Sequence, residues 1–275
     1  MTGPEFEEDE EGFLRLIGKI ERERRFACGS YKDRCLRRRI AVRMRANRAE
    51  SYGAYAAHLD AHPEEWDKLL DALTINVTKF FRNPDVYAAI EKVVVPALWA
   101  LPDVTLRVWS AGCASGEEPY SLGILFHRHA ASRAELGRLS RVSVLGTDID
   151  QRSLAAAERG TYAAPAFADT TPEVRDAYFS RTDPAEILSA VRAITRFEHR
   201  DLLKDPPPPG PMHLIVCRNV MIYFDRATQD RLIERFFSSL APGGYLVLGM
   251  TETLFGNVRD RFTLVRQRER IYQRP

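Results

Sequence analysis

From Val104 onward, short apolar runs and helical stretches take turns, and that alternation limits the possible folds more than any other property of the chain. The spacing predicts strands at 105–110, 141–146, 213–217 and 244–249, and helices near 119–131, 151–158 and 226–240. Strands separated by helices pair in parallel and are covered on both faces, so an α/β fold with a Rossmann-like sheet is expected. Phe262–Val265 and Arg270–Tyr272 read as two short strands across a polar turn, an antiparallel pair at the sheet edge. Thr161 to Pro211 exceeds an ordinary connection and predicts a small insertion. Its last part, Asp205–Pro211, holds five prolines and one glycine and forms a stiff loop.

The beginning of the chain has a different period. Phe13, Leu16, Ile17 and Ile20, then Leu36, Ile40 and Met44, then Tyr52, Tyr55 and Leu59 are spaced for helices, as is the stretch from about Pro63 to Leu73. Before them, Glu5, Glu7, Glu8, Asp9, Glu10 and Glu11 form an acidic tail. Tyr31 to Arg48 holds eight basic residues against Asp33 alone, a net +7 in a chain of net charge +2. Such a helix draws in an acidic partner; the plain alternative is a solvated Arg-rich helix. With 45% apolar residues, 275 residues bury a substantial core. There is no run of 18 apolar residues and no basic stretch leading into an apolar one, so neither a membrane span nor a signal peptide is expected. Cys28, Cys35, Cys113 and Cys217 contain no CxxC pair, which favours cytoplasmic thiols over a zinc site or a redox dithiol.

Chemistry concentrates where predicted strands end. Val104–Tyr120 runs from a strand through Ser-Ala-Gly-Cys-Ala-Ser-Gly into Glu117, Glu118 and Pro119. Glycines let backbone approach a ligand, and a helix start normally attracts phosphate. Here two carboxylates would oppose a phosphate, although the same acids also suit the helix dipole. A ligand with adenosine, no phosphate and positive groups fits better, and S-adenosylmethionine is one. Asp148 closes the next strand, where a carboxylate meets ribose hydroxyls, while Asp150 suits a helix N-cap. The strand from His213 delivers Arg218, Asn219 and Tyr223 to the same sheet end, and Tyr223 equally suits a core position. Asn76, Thr78 and Arg82 surround the pair Phe80 and Phe81.

Leu73-Thr-Ile-Asn-Val-Thr-Lys-Phe-Phe-Arg, Val108-Trp-Ser-Ala-Gly-Cys-Ala-Ser-Gly-Glu-Glu-Pro-Tyr-Ser, Gly146-Thr-Asp-Ile-Asp and Cys217-Arg-Asn-Val-Met-Ile-Tyr-Phe resemble, in order, the motifs of the chemoreceptor glutamate methyltransferases of bacterial chemotaxis, the CheR family. The resemblance covers most of residues 12 to 275. After the acidic tail over 1–11, it implies an all-α domain over 12–72 and an S-adenosylmethionine-dependent methyltransferase domain over 73–275. A small antiparallel β-subdomain would be inserted at about 162–200. It assigns cofactor contacts to Asn76, Thr78, Arg82, Glu117, Asp148, Asp201, Leu202, Arg218 and Asn219, with S-adenosylhomocysteine as product and no metal. Glu117 is expected to take the cofactor ammonium, Asp148 the ribose, and Arg82 or Arg218 a carboxylate; Tyr223 and Arg82 are the catalytic candidates. Arg37, Arg38 and Arg43 are expected to bind the acidic helical methylation region of a receptor.

Two departures stand out. Asp201-Leu202 replaces a frequent Asn-Leu, and Phe179-Ser-Arg-Thr-Asp-Pro-Ala-Glu lacks the Gly-x-Gly turn of members that dock on a receptor's C-terminal pentapeptide. Independence from that tether is therefore expected. The rival readings are a nucleic-acid methyltransferase, disfavoured because no Asn-Pro-Pro-Tyr-like motif follows Ile215, and a non-catalytic adaptor that senses the cofactor.

Overall fold

A computed structural model describes residues 9–74, 78–102, 104–254 and 256–275. Contacts divide the chain into two units: Met1–Asn76 with Tyr223–Thr228, and Val77–Ile222 with Gln229–Pro275.

The first unit is helical because its apolar residues recur every three or four positions and its helix starts are capped. Asp9 accepts the Gly12 amide at 2.8 Å to begin α1 (Glu10–Arg24), which buries Phe13, Leu16 and Ile20. The basic helix α2 (Asp33–Ala46) buries Leu36, Ile40 and Met44. Ser51 caps α3 (Tyr52–Ala61), and Pro63 occupies the first turn of α4 (Pro63–Leu73), where its missing N–H costs nothing. α1 packs on α3 and α2 on α4. The segment 223–228 joins this unit through an antiparallel bridge between Tyr31 and Phe224 and a bond from the Asp225 amide to the Ser30 carbonyl at 3.0 Å.

The second unit opens with α5 (Pro84–Ala89), a single π turn (Ile90–Val94) and α6 (Val95–Trp99). There follow β1 (Leu106–Ala111), α7 (Glu117–Ser132), β2 (Val142–Asp148), α8 (Gln151–Arg159), β3 (Thr161–Tyr162), α9 (Pro172–Tyr178), β4 (Ala185–Glu186), α10 (Ser189–Ala193) and β5 (Thr195–His199). The chain ends with β6 (Met212–Cys217), α11 (Arg226–Ser239), β7 (Leu240–Leu248), α12 (Gly256–Arg259), β8 (Thr263–Arg266) and β9 (Ile271–Gln273). The main sheet has the order β5-β2-β1-β6-β7-β9-β8. Its first five strands are parallel, and β9 runs antiparallel to both β7 and β8. Every residue of β6 is buried; alternate side chains point to opposite faces, so both faces are covered.

The four predicted strands and the terminal pair are all present. One boundary is corrected: residues 195–199, expected inside an insertion spanning 162–200, form β5, which pairs in parallel with β2 from Val144↔Thr195 to Asp148↔His199. The separate two-stranded sheet is limited to β3 and β4. From β1 the chain proceeds outward through β2 to β5, then returns to the other side of β1 with β6. The loops leaving β1 and β6 therefore diverge, opening a crevice at their carboxyl ends, the position where such sheets bind ligands.

Candidate active site

The turn after β1 is built on left-handed backbone, with Gly112 at φ +82° and Gly116 at φ +93°. A Cβ on Gly112 would lie 2.4 Å from a Val220 methyl, and one on Gly116 would lie 2.7 Å from the Ala157 Cβ. Bare backbone is needed at both places. The amides of Gly112 and Cys113 both donate to the Thr147 carbonyl, at 2.8 and 3.0 Å, which ties the turn to β2. Glu117 follows as the first residue of α7 and is 5% exposed. Its oxygens accept the Ser115 hydroxyl at 3.0 and 2.8 Å. Burial raises its pKa, while hydrogen bonds from backbone, Ser115 and Thr78 work in the opposite direction. Thr78 and Glu117, both expected at the site, thus meet.

Asp148, at the end of β2, is buried and fastens two turns at once: Oδ2 accepts the Ala114 amide at 2.8 Å and Oδ1 the Asp150 amide at 2.9 Å. Burial raises its pKa against the pull of those amides. The Ile149 amide adds to the same pull on the carboxylate. Asp150 is the N-cap of α8, accepting the Arg152 amide at 2.9 Å. The neighbouring Arg200 amide donates to the Asp148 carbonyl at 2.9 Å, which brings Asp201 and Leu202 beside this strand end. The Asp201 carboxylate is turned back on its own loop, accepting the Leu203 amide at 2.8 Å, and the Leu202 carbonyl accepts Arg235 at 2.7 Å.

Past β6, Arg218 meets the loop that carries Arg82. Its guanidinium is committed to protein partners: Nη2 donates to the Arg82 carbonyl and the Asn83 Oδ1, each at 2.8 Å, and Nη1 lies 3.7 Å from Glu118. Arg218 therefore fixes the backbone of the Arg82 loop, while its buried Nε has no hydrogen-bond partner among the described residues. Glu118, which the sequence sets apart only as the neighbour of Glu117, is the missed partner; it also accepts the Ser110 hydroxyl at 2.8 Å. Burial raises the Glu118 pKa, opposed chiefly by Arg218. The Arg82 loop is held again by Lys79 on Asp169 at 2.7 Å and by the Phe81 amide on Ser121 at 3.1 Å. Asn219 adopts φ 61°, and its Oδ1 is buried with no hydrogen-bond partner among the described residues. Asn76 lies outside the described residues.

In the helical unit, Tyr223 lies beneath the Arg39 guanidinium, 4.2 Å from ring centroid to Cζ, and its carbonyl accepts the Lys32 amide at 2.9 Å. Arg39 is 4% exposed, donates to the Leu73 carbonyl, and escapes sequence reasoning because it is one arginine in a run of many. The expected receptor-binding arginines separate into two groups. Arg43 makes a two-pronged pair with Glu65, both bonds at 2.8 Å, and Glu65 also accepts Tyr55 at 3.0 Å and Asn47 at 2.7 Å. Arg37 bonds to Glu10 and stacks 3.7 Å over Phe13. Both are paired inside the helical unit, which sets them apart from the exposed arginines of the same helix. Arg38 is exposed, as are Arg34 and Arg45, and the three fall within about 40° around the helix axis.

Comparison with known proteins bears on this geometry. A family model described as CheR methyltransferase, SAM binding domain, matches residues 76–271, and one described as CheR methyltransferase, all-alpha domain, matches residues 11–74. An uncharacterized 104.1 kDa protein of Rhodobacter capsulatus is 36% identical over 88% of this chain, which spans 25% of that protein. A chemotaxis protein methyltransferase of Listeria innocua is 34% identical over 91% of this chain and 92% of its own length. A solved TehB-like SAM-dependent methyltransferase from Corynebacterium glutamicum aligns over 79% of this chain and 97% of its own, at 16% identity and a TM-score of 0.39.

Proposed function

This chain belongs to the CheR methyltransferase family, and on that footing we propose that it transfers the methyl group of S-adenosylmethionine to glutamate side chains of bacterial chemoreceptors, leaving methyl esters and S-adenosylhomocysteine. The observation that carries the proposal is the pair of buried carboxylates, Glu117 at the start of α7 and Asp148 at the end of β2, on either side of a glycine turn. A phosphate would be repelled there, whereas an ammonium and ribose hydroxyls are matched. The Asn219 Oδ1, without a partner among the described residues, supports the same fit, because a buried acceptor calls for a donor and the ligand's hydroxyl or amino groups supply one.

S-adenosylmethionine, when bound, supplies an electrophilic methyl group on a sulfonium. Glu117 holds the ammonium end and Asp148 the ribose, while Thr78 and Ser115 orient the Glu117 carboxylate. Arg218 and Asp169 fix the loop from which Arg82 attracts a carboxylate. No general base is required, since a glutamate of ordinary pKa, about 4.3, is ionised at neutral pH. Catalysis then rests on alignment, which in favourable intramolecular cases supplies up to about 7–11 kcal/mol. Tyr223 retains the catalytic assignment drawn from the resemblance, its ring braced by Arg39.

The receptor is recognised through the exposed arginine face of α2. Tethering by a receptor's C-terminal pentapeptide is not needed. The glycine-free loop before β4 closes on itself, with the Ser180 amide on the Glu186 carbonyl at 2.8 Å and Thr182 Oγ1 on the Pro184 carbonyl at 2.9 Å. Calorimetry with such a peptide is expected to give no heat of binding. For the reaction itself, the protein is incubated with methyl-labelled S-adenosylmethionine and membranes bearing candidate receptors. Label on receptor that base releases is the expected result; label on RNA, or cofactor binding with no transfer to any receptor, would reject the assignment.

A further inference from the structure

A buried carboxylate outside every sequence expectation organises the loop after β6. Glu252, four residues past β7, is 5% exposed and accepts four backbone amides. Oε2 takes Gly249 at 2.7 Å and Asn219 at 3.0 Å; Oε1 takes Val220 at 3.1 Å and Ile222 at 3.2 Å. Asn219 and Val220 lie in the irregular stretch after β6 and Ile222 in the short 3-10 turn Met221–Tyr223 that follows, where no strand ladder takes up their amides, so the carboxylate does so instead. Bonds to an ionised acceptor are roughly twice as strong as neutral ones, which suits a single anchor for a short loop.

The surroundings are built around this anchor. A Cβ on Gly249 would lie 2.5 Å from Glu252 Oε2 and 2.9 Å from the Asn219 amide, so only glycine leaves room for both. Asn219 sits in the left-handed region at φ 61°, a conformation that persists where neighbouring bonds over-determine it. The group thereby held in place is the Asn219 side chain, whose buried Oδ1 has no partner among the described residues.

We propose that Glu252 is a positioning residue of the cofactor site, whose carboxylate gathers the amides of 219, 220 and 222 so that Asn219 presents its side chain to S-adenosylmethionine. This rests on the cofactor reading above. Glu252 touches no reacting atom; it acts through Asn219.

The test is calorimetry of the full chain with S-adenosylhomocysteine. Glu252→Gln keeps the shape but turns an N–H₂ toward two amide donors, and its Kd is expected to rise about tenfold. Its KM for S-adenosylmethionine should rise equally while kcat at saturation stays near wild type, the signature of lost binding without lost chemistry. Asn219→Ala should raise Kd in the wild-type background and add little in the Glu252→Gln background. A Kd for Glu252→Gln within twofold of wild type, or an Asn219→Ala effect of equal size in both backgrounds, overturns the proposal alone. Wild-type protein that binds no S-adenosylhomocysteine overturns the cofactor reading and this proposal together. Should Glu252→Gln not fold, Gly249→Ala keeps the carboxylate while crowding it, and is expected to raise Kd in the same way. Hydrogen exchange on unaltered, ligand-free protein needs no variant: slow exchange at amides 219, 220 and 222 supports the anchor, and exchange as fast as an exposed loop overturns it.

Discussion

At the scale of single residues, the carboxylates divide by what surrounds them. Burial raises the pKa of Glu117, so its charge is lost at a higher pH than that of an ordinary glutamate. A cation binds only the ionised form; affinity is therefore full above the raised pKa and falls as pH drops through it. Calorimetry with S-adenosylmethionine from pH 8 down to pH 5 should show affinity falling before an ordinary carboxylate would titrate, and Glu117→Gln should flatten the profile while lowering affinity throughout. Tyr223 offers a second check: Tyr223→Phe and Tyr223→Ala are both expected to lower kcat, Ala more, and full turnover by both would remove it from the catalytic set. Glu117 and Asp148 could be singled out because a glycine turn and a strand end mark them locally, whereas Thr78 was drawn from the family resemblance alone. The pairing of Glu118 with Arg218 was not legible, since two residues a hundred positions apart leave no trace in local spacing. Glu252 was hidden for the same reason, its partners being backbone amides that any sequence would supply.

Among elements, α2 shows how far a charge count can mislead. A net +7 reads as a uniformly basic surface, yet Arg43 is spent on a glutamate that is 2% exposed in its side chain and Arg37 on Glu10 and Phe13. Arg43→Ala is expected to destabilise the protein by about 3 kcal/mol, because Glu65 would be left charged and buried. Arg38→Ala should change stability by no more than about 0.5 kcal/mol yet weaken receptor capture, and the difference should shrink as salt rises. Urea unfolding and receptor co-sedimentation at two ionic strengths separate the two. Helical spacing told which positions of α1 to α4 face inward, because that follows from a period of 3.6. It could not tell which arginines are paired, because pairing depends on the neighbouring helix. Strand β5 escaped notice for a different reason: Thr195–His199 lies at the sheet edge and is half exposed, so it lacks the continuous apolar run that marked β1 and β6.

For the whole molecule, the parallel sheet with its antiparallel edge was readable from alternation alone, since a strand buried on both faces needs an apolar run and its return needs a helix. What no pattern foretold is that Tyr223–Thr228, which lies in the sequence between β6 and the body of α11, clusters with the N-terminal helices. Phe224 sits 4.9 Å from the Tyr31 ring, and Tyr31 is in turn stacked on Phe26, also at 4.9 Å. This has a practical corollary for anyone building chimeras. Grafting helices α1 to α4 from a relative would transplant one half of a mated surface, and the recipient should melt at a lower temperature by calorimetry unless the six-residue strap travels with the graft.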